Sequence, residues 1–398
     1  MSRSATALLA IVFMAEVALF AIIPVVPIYV DQFGLSKLQA GALVSASAIA
    51  VAIVSIPAGL MSDRIGAKRM TIISAGLLTV SAFGQAFADS FVTVLAMRIV
   101  FGFGSSAVWT SGLSWLSDVS DDRSRSSTVG ATATVAGVGS LVGPLFAGYI
   151  AEQFSVEAAF LVIGVATAVV SLGLLVVPQG VSHMPESPAI GRSLSLVRHN
   201  PRIIAALVLM AVAGFVDGFV NLLAPLELTA DGLSSTGTGL VFSIASGLFI
   251  VASWLVTRTP RLATLEVAGY SLLIQAATFV PVLISLGVVS VTFMEIARSP
   301  MSGVLYTVAM PVAVVAARSA GLGTATVSGT VGTVWGTTSL ISSPLAGAIA
   351  DSVGDRAVYA LAVVLLVAVG VWILRRVATQ GEDVGLAEVV VPEVPGHP

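Results

Sequence analysis

The chain contains no cysteine and only three histidines, His183, His199 and His397, none of them inside a long apolar run. Disulfides, thiol chemistry and soft-metal sites are thereby removed, and a Ser-His-Asp arrangement has no histidine among the embedded polar residues to use. Charge is scarce too. Asp, Glu, Lys and Arg make up 10% of the 398 residues, where soluble domains carry roughly a quarter. No Gly-rich loop ending in Lys-Ser/Thr is present to cradle a nucleotide phosphate, and no basic stripe marks a nucleic-acid face. Nothing here suggests an enzyme, a cofactor or a metal centre.

What the sequence has is apolar length. Hydrophobic residues make up 57% of it and the mean hydropathy is +1.02, the composition of an integral membrane protein. Runs of about twenty apolar residues, the length a bilayer core demands, fall at 5–30, 38–60, 70–88, 91–117, 127–151 and 156–178. A polar Pro- and Ser-rich stretch, 179–201, separates them from runs at 202–230, 235–257, 262–285, 287–310, 320–350 and 353–376. The first run is read as a spanning helix and not a signal peptide, because it is long, carries Glu16 in its middle and continues through Pro24 and Pro27.

Charge sorting tests that count. If the stretch Gly59 to Met70, GLMSDRIGAKRM, is a cytoplasmic loop, alternate connections share its side and collect nearly every cation, among them Arg3, Arg64, Lys68, Arg69, Arg123, Arg192, Arg258, Arg318 and Arg375. The opposite side keeps only Lys37 and Arg356. This asymmetry predicts an even number of spans with both termini in the cytoplasm. The halves also repeat. A shift of about 200 positions sets Glu16 on Asp217, Pro24 on Pro225, Arg98 on Arg298, and SLVGPLFAGYIAE (140–152) on SLISSPLAGAIAD (339–351). Two six-helix halves related in this way enclose a ligand site at their shared midplane.

Several embedded residues bear on chemistry. Glu16 shares a helical face with Phe13, Phe20, Pro24 and Pro27. An ionisable group at that depth is costly unless it faces a cavity or a partner, and a carboxyl so placed can take a proton on one side and release it on the other. The plainer alternative is a permanently protonated or salt-bridged structural acid. Asp217 holds the matching face of the seventh run with Gly214, Asn221 and Pro225. Arg98, beside Gly102, Ser105 and Trp109, cannot shed its charge, and its expected partner is Glu16. Glu295 and Arg298, three apart, are expected to pair on one helix face, for coupling or as an internal brace, with Ser302 and Tyr306 continuing that face. Phe13, Phe20, Trp109, Phe215, Phe219, Asn221, Tyr306 and Trp335 are the expected walls of a substrate cavity, while Trp335 and Trp254 also fit interfacial anchors.

The stretch GLMSDRIGAKRM resembles the signature between helices 2 and 3 of the major facilitator superfamily: Gly59, an acid four residues on at Asp63, Arg64, Gly66, then Lys68 and Arg69. It departs from that pattern at Ala67, where a cation is common. RIVFGFGSS, with Arg98, Gly102 and Gly104, is similar to the helix 4 pattern of the drug:proton antiporter branch, and GVGSLVGPLFAG (137–148), with Gly139, Gly143, Pro144 and Gly148, to its helix 5 pattern. The helix 5 glycines fit close helix packing equally well. The resemblance implies that Asp63 helps hold an inner gate shut together with charges near the end of helix 4, such as Asp118, and it assigns Arg98 to coupling. The matching loop of the second half, VTRTPRLATLE, lacks the Gly and Asp frame, so that gate is expected to be lopsided.

The expectation is therefore an all-α integral membrane protein of twelve transmembrane helices in two pseudo-symmetric halves, 1–178 and 202–376, with a cytoplasmic linker at 179–201 and a tail at 377–398. It is expected to sit in the plasma membrane and to work as a monomer with protons, a small-molecule substrate and the bilayer as its partners. The function expected is proton-coupled efflux of hydrophobic or amphipathic molecules by alternating access, with Glu16, Asp217 and Arg98 coupling. Sugar or metabolite efflux is the alternative, and a non-transporting receptor or scaffold of the same architecture is the reading from another class.

Overall fold

A computed structural model describes residues 3–119, 125–179, 200–319 and 324–380, and the described chain is helical almost throughout. Twelve helical segments follow one another. The first is α1, Arg3–Ala21, completed past a 3-10 turn at Ile23–Val25 by the short helix Val26–Phe33. Pro24 and Pro27 cause that break, since neither can donate a backbone N–H. Then come α2 (Lys37–Ile65), α3 (Ala67–Ala86) and α4 (Phe91–Ala107), the last continuing through a π turn at Val108–Gly112 into Leu113–Asp118. α5 (Arg125–Gln153) and α6 (Val156–Leu175) close the first half.

The second half runs α7 (Pro201–Ala230), α8 (Ser235–Arg258), α9 (Leu265–Thr278, extended by Val280–Ile284), α10 (Val288–Ser319), α11 (Thr324–Val353) and α12 (Asp355–Gln380). Nine of the described segments are long and apolar enough to cross a bilayer. α2, α3 and α11 are not among the nine; the described apolar part of α2 runs over Lys37–Val51. The chain is a multi-pass membrane protein.

Two expected boundaries change. GLMSDRIGAKRM is not a loop of a dozen residues: α2 runs on to Ile65, Gly66 alone turns the chain at φ +93°, and α3 starts at Ala67. Only glycine takes that conformation without strain. The tenth segment likewise runs past 310 to Ser319. Most of the 179–201 stretch and nearly all of the tail fall outside the described residues.

Helices meet where glycine removes a side chain. A Cβ at Gly102 on α4 would strike the Ser47 carbonyl of α2, one at Gly139 would strike the Glu16 side chain, and one at Gly143 the Val17 carbonyl. The halves join along α2 with α11 and α5 with α8. At one end of the bundle, the end that holds Lys37, Gly41 lies on the Ser343 and Pro344 backbone and Gly239 on the Pro144 and Leu145 backbone. The opposite end holds Arg64.

Candidate functional site

Between the halves lies a cavity of about 520 Å³. Glu16, Phe20, Trp109 and Ser140 line it from the first half; Asp217, Asn221, Phe249, Arg298, Tyr306 and Trp335 line it from the second. Its surface is mostly carbon, with ionisable groups concentrated on two patches, one in each half.

The first patch is Glu16. The residue is buried, and its Oε1 accepts the indole N–H of Trp109 at 2.9 Å. Trp109 sits in the π turn of α4, where the extra residue per turn changes which side chains face α1. Gly139 lets α5 press against Glu16 from behind. Among the described residues, no cation pairs with this carboxyl.

Arg98 departs from expectation: its partner is not Glu16. Nη1 donates weakly to the Ala18 carbonyl at 3.4 Å, the guanidinium lies 5.0 Å from the Phe101 ring centre, and Nε and Nη2 have no hydrogen-bond partner among the described residues. The reason is depth. α4 runs antiparallel to α1, and Arg98 stands about two turns from the end where α4 begins, whereas Glu16 and Trp109 each stand about five turns from it. Fully buried, Arg98 borders a smaller cavity of about 90 Å³ that shares Phe20, Asp217, Asn221 and Trp335 with the main one.

The second patch is a charged chain of hydrogen bonds. Arg298 Nε and Nη2 donate to the two oxygens of Glu295 at 2.7 and 3.1 Å, and Nη1 donates to Asp217 Oδ1 at 2.8 Å. Tyr306 donates to Asp217 Oδ2 at 2.9 Å and itself accepts the indole N–H of Trp335. The expected Glu295 and Arg298 pair is present, but it is not self-contained, because one guanidinium serves two carboxylates. With both acids ionised the group would carry one net negative charge, half-exposed at Asp217 and buried at Glu295.

Of the expected cavity walls, Phe20, Trp109, Asn221, Tyr306 and Trp335 line the space. Phe219 does not. It is fully buried in an aromatic cluster with Phe279 and Tyr359, ring centres about 6 Å apart, and Phe215 packs edge-on against it at 6.2 Å. Each is two residues from Asp217, about 200° round the helix, so a face presenting Asp217 and Asn221 to the cavity turns both away. Phe13 packs against the core, its carbonyl close to Gly139. Trp254 is exposed on the outside of α8 beneath Arg258. Phe249, which lines the cavity and meets Tyr306 at 5.7 Å, has only apolar neighbours in sequence and nothing there to mark it.

For the inner gate, the side chains of Gly59 and Asp63 lie outside the described residues. Arg64 and Arg69 are exposed. Lys68 donates to the Val177 carbonyl at 2.7 Å and lies 5.8 Å from the Trp115 ring, while Trp115 donates to the Pro178 carbonyl at 2.9 Å. These contacts tie α3 and α4 to the end of α6 inside one half. Asp118 stands half-exposed at the last turn of the fourth segment. On α5, Gly148 meets the Ser235 carbonyl of α8, so Gly139, Gly143 and Gly148 are all helix contacts and Pro144 stands within the helix beside them.

Comparison with known proteins fits this geometry. Residues 8–326 match the family model described as Major Facilitator Superfamily. The chain is 30% identical over 156 residues to the multi-drug resistance efflux pump PmrA of Streptococcus pneumoniae, covering 38% of this chain and 39% of that one. It is 28% identical over 141 residues to the quinolone resistance protein NorA of Staphylococcus aureus, covering 35% of this chain and 36% of that one. Each match thus spans less than half of the curated relative's length. Among solved structures, a bacterial homolog of the human lysosomal transporter Spinster, in an inward-facing and unoccupied conformation, superimposes with a TM-score of 0.78 at 16% identity, over 95% of this chain and 98% of that one. A POT family transporter in complex with 5-aminolevulinic acid superimposes with a TM-score of 0.77 at 12% identity, over 95% and 97%.

Proposed function

This chain belongs to the Major Facilitator Superfamily, and from that premise we propose that it exports hydrophobic or amphipathic small molecules in exchange for protons, by alternating access between the halves 1–178 and 202–376. The carrying observation is the cavity itself, a carbon-lined space between the halves in which Glu16 stands without a cationic partner among the described residues. A buried charge must be balanced. A proton can balance Glu16, and so can the cationic head of an amphipathic substrate, but the two compete for one carboxyl. Loading substrate from one side then expels a proton there, which is the stoichiometric link an antiporter needs. Asp217, tied to Arg298 and Tyr306, supplies the corresponding group in the second half, and Arg98 supplies fixed positive charge nearby.

The matches to efflux pumps support export as the direction, and the cation sorting supports both termini and the Arg64 end in the cytoplasm of the plasma membrane. Asp63 and its neighbours serve as the inner gate in this reading, and the protein works as a monomer. The gradient suffices in principle, since one charge crossing 100 mV contributes about 2.3 kcal/mol.

The test uses proteoliposomes with an imposed pH gradient and a lumenal pH dye. A lipophilic cation such as tetraphenylphosphonium should drive proton movement in the wild type and not in the Glu16→Gln, Asp217→Asn double variant. Equal proton movement in both, or none in the wild type with any amphiphile, overturns the reading.

A further inference from the structure

Glu152 and Asp351 occupy the same position in the two halves, about 200 residues apart at the ends of α5 and α11. Each reaches out of its own half to finish a helix of the other. α2 begins after Ser36, whose hydroxyl accepts the Gln39 N–H; the two N–H groups before it, on Lys37 and Leu38, donate to the Asp351 carboxylate at 3.2 and 3.1 Å. α8 begins after Ser234, whose hydroxyl accepts the Gly237 N–H; the Thr236 N–H donates to Glu152 Oε2 at 2.8 Å. In both places a serine serves the third free N–H of the helix, and a carboxylate from across the interface takes N–H groups before it, two at Asp351 and the Thr236 N–H at Glu152.

Glycines set the spacing in the same symmetric way. Gly347, one turn before Asp351, lies on the Lys37 carbonyl, and Gly148, one turn before Glu152, lies on the Ser235 carbonyl. A side chain at either would push the carboxylate off its helix end. The cavity begins farther along these same helices, at Ser47 on α2, Ser140 on α5 and Phe242 on α8. None of the cavity or coupling groups lies among these contacts. Lys37 adds an ion pair to Asp355 at one of the two places.

We propose that Glu152 and Asp351 are matched positioning residues of the transport cycle, two carboxylate latches that shut the Lys37 end of the molecule and must both release before the cavity opens there. Each latch satisfies free N–H groups and sets a negative charge at the positive end of a helix. Both are lost together when the halves part, and water then serves the freed groups. The proposal rests on alternating access, and its test is independent of substrate and proton.

Because the chain has no cysteine, spin labels can be placed on Phe87→Cys and Ile284→Cys, exposed positions at the Lys37 end of the two halves. Distances are measured by electron double resonance on the full chain in lipid nanodiscs. Two populations are expected. Glu152→Ala and Asp351→Ala should each raise the open-to-closed ratio about fivefold, and the double variant about twenty-five-fold, as loss of an N-terminal cap predicts. Glu152→Gln and Asp351→Asn, which keep an acceptor and lose the charge, should raise it about twofold each. Glu157→Ala, at an exposed acid of the same end, is the control and should leave it unchanged.

A ratio in the double alanine variant equal to the wild type, or an equal shift in the control, overturns the latches while leaving alternating access intact. If the alanine variants do not fold, the amide pair decides: no shift in it overturns the latches. One fixed distance in every variant overturns both proposals.

Discussion

Trp109 donates its indole N–H to Glu16 at 2.9 Å, joining the π turn of the fourth span to the middle of the first. Among the described residues neither side chain has another hydrogen bond, so the pair can exchange this one for a substrate contact with little rearrangement. Glu16→Gln should keep the indole bond, through the amide oxygen, and lose the charge. Binding of tetraphenylphosphonium should weaken about tenfold, about 1.4 kcal/mol, while a neutral amphiphile of similar size is unaffected. Titration calorimetry on the purified protein checks this. Equal losses for both ligands would remove Glu16 from charge recognition.

Arg298 is the only cation holding Asp217 and Glu295 among the described residues. Its removal leaves two carboxylates close together in a partly dry wall; removal of Asp217 leaves a neutral pair. Arg298→Gln should therefore destabilise by about 3–5 kcal/mol, and Asp217→Asn by markedly less. The Glu295→Gln, Arg298→Gln double variant should regain part of the loss, since the buried anion goes with its partner. Thermal melting in detergent gives the order, and Asp217→Asn melting below Arg298→Gln would contradict the charge count.

Much of this was legible in the sequence because the bilayer imposes a length and a charge rule on every helix. Sequence pattern alone pairs Arg98 with Glu16, and the structure does not, because antiparallel helices match by depth from a shared end, which places Trp109, not Arg98, level with Glu16. The chain from Trp335 through Tyr306 to Asp217 is not legible in the sequence, since α7 lies far from α10 and α11 along the chain and only their packing fixes which polar groups meet. The latch acids were hidden for another reason. Glu152 and Asp351 look like solvated charges at helix ends until the opposite half is placed against them.

Glycine placement gives a test of the packing alone. A Cβ at Gly102 meets Ser47 backbone atoms of α2, whereas one at Gly76 meets nothing within 4 Å. Gly102→Val should force α2 and α4 apart at a cost of about 1–3 kcal/mol. Gly76→Ala should be neutral or stabilise by up to about 1 kcal/mol, through the reduced freedom of the unfolded helix. Paired melting curves distinguish the two, and a loss at Gly76 matching that at Gly102 would refute the contact geometry.

The two phenylalanines that exchanged roles between sequence and structure separate folding from recognition. Phe219 is fully buried, wedged among Phe215, Phe279 and Tyr359, while Phe249 presents its ring to the cavity beside Tyr306. Truncating Phe219 to Ala should open a void that its neighbours cannot fill, lowering stability by about 3–5 kcal/mol, yet leave the relative affinities of a set of amphiphiles unchanged. Phe249→Ala removes a wall that already borders empty space, so its stability cost should be smaller. It should instead weaken aromatic ligands more than aliphatic ones of equal size, because ring contacts contribute about 0.5–1.5 kcal/mol beyond area. Melting temperatures and a matched aromatic and aliphatic ligand series, measured on both variants, decide it. A change in ligand preference on truncating Phe219, with none on truncating Phe249, would return Phe219 to the cavity wall and place the Asp217 face of α7 elsewhere.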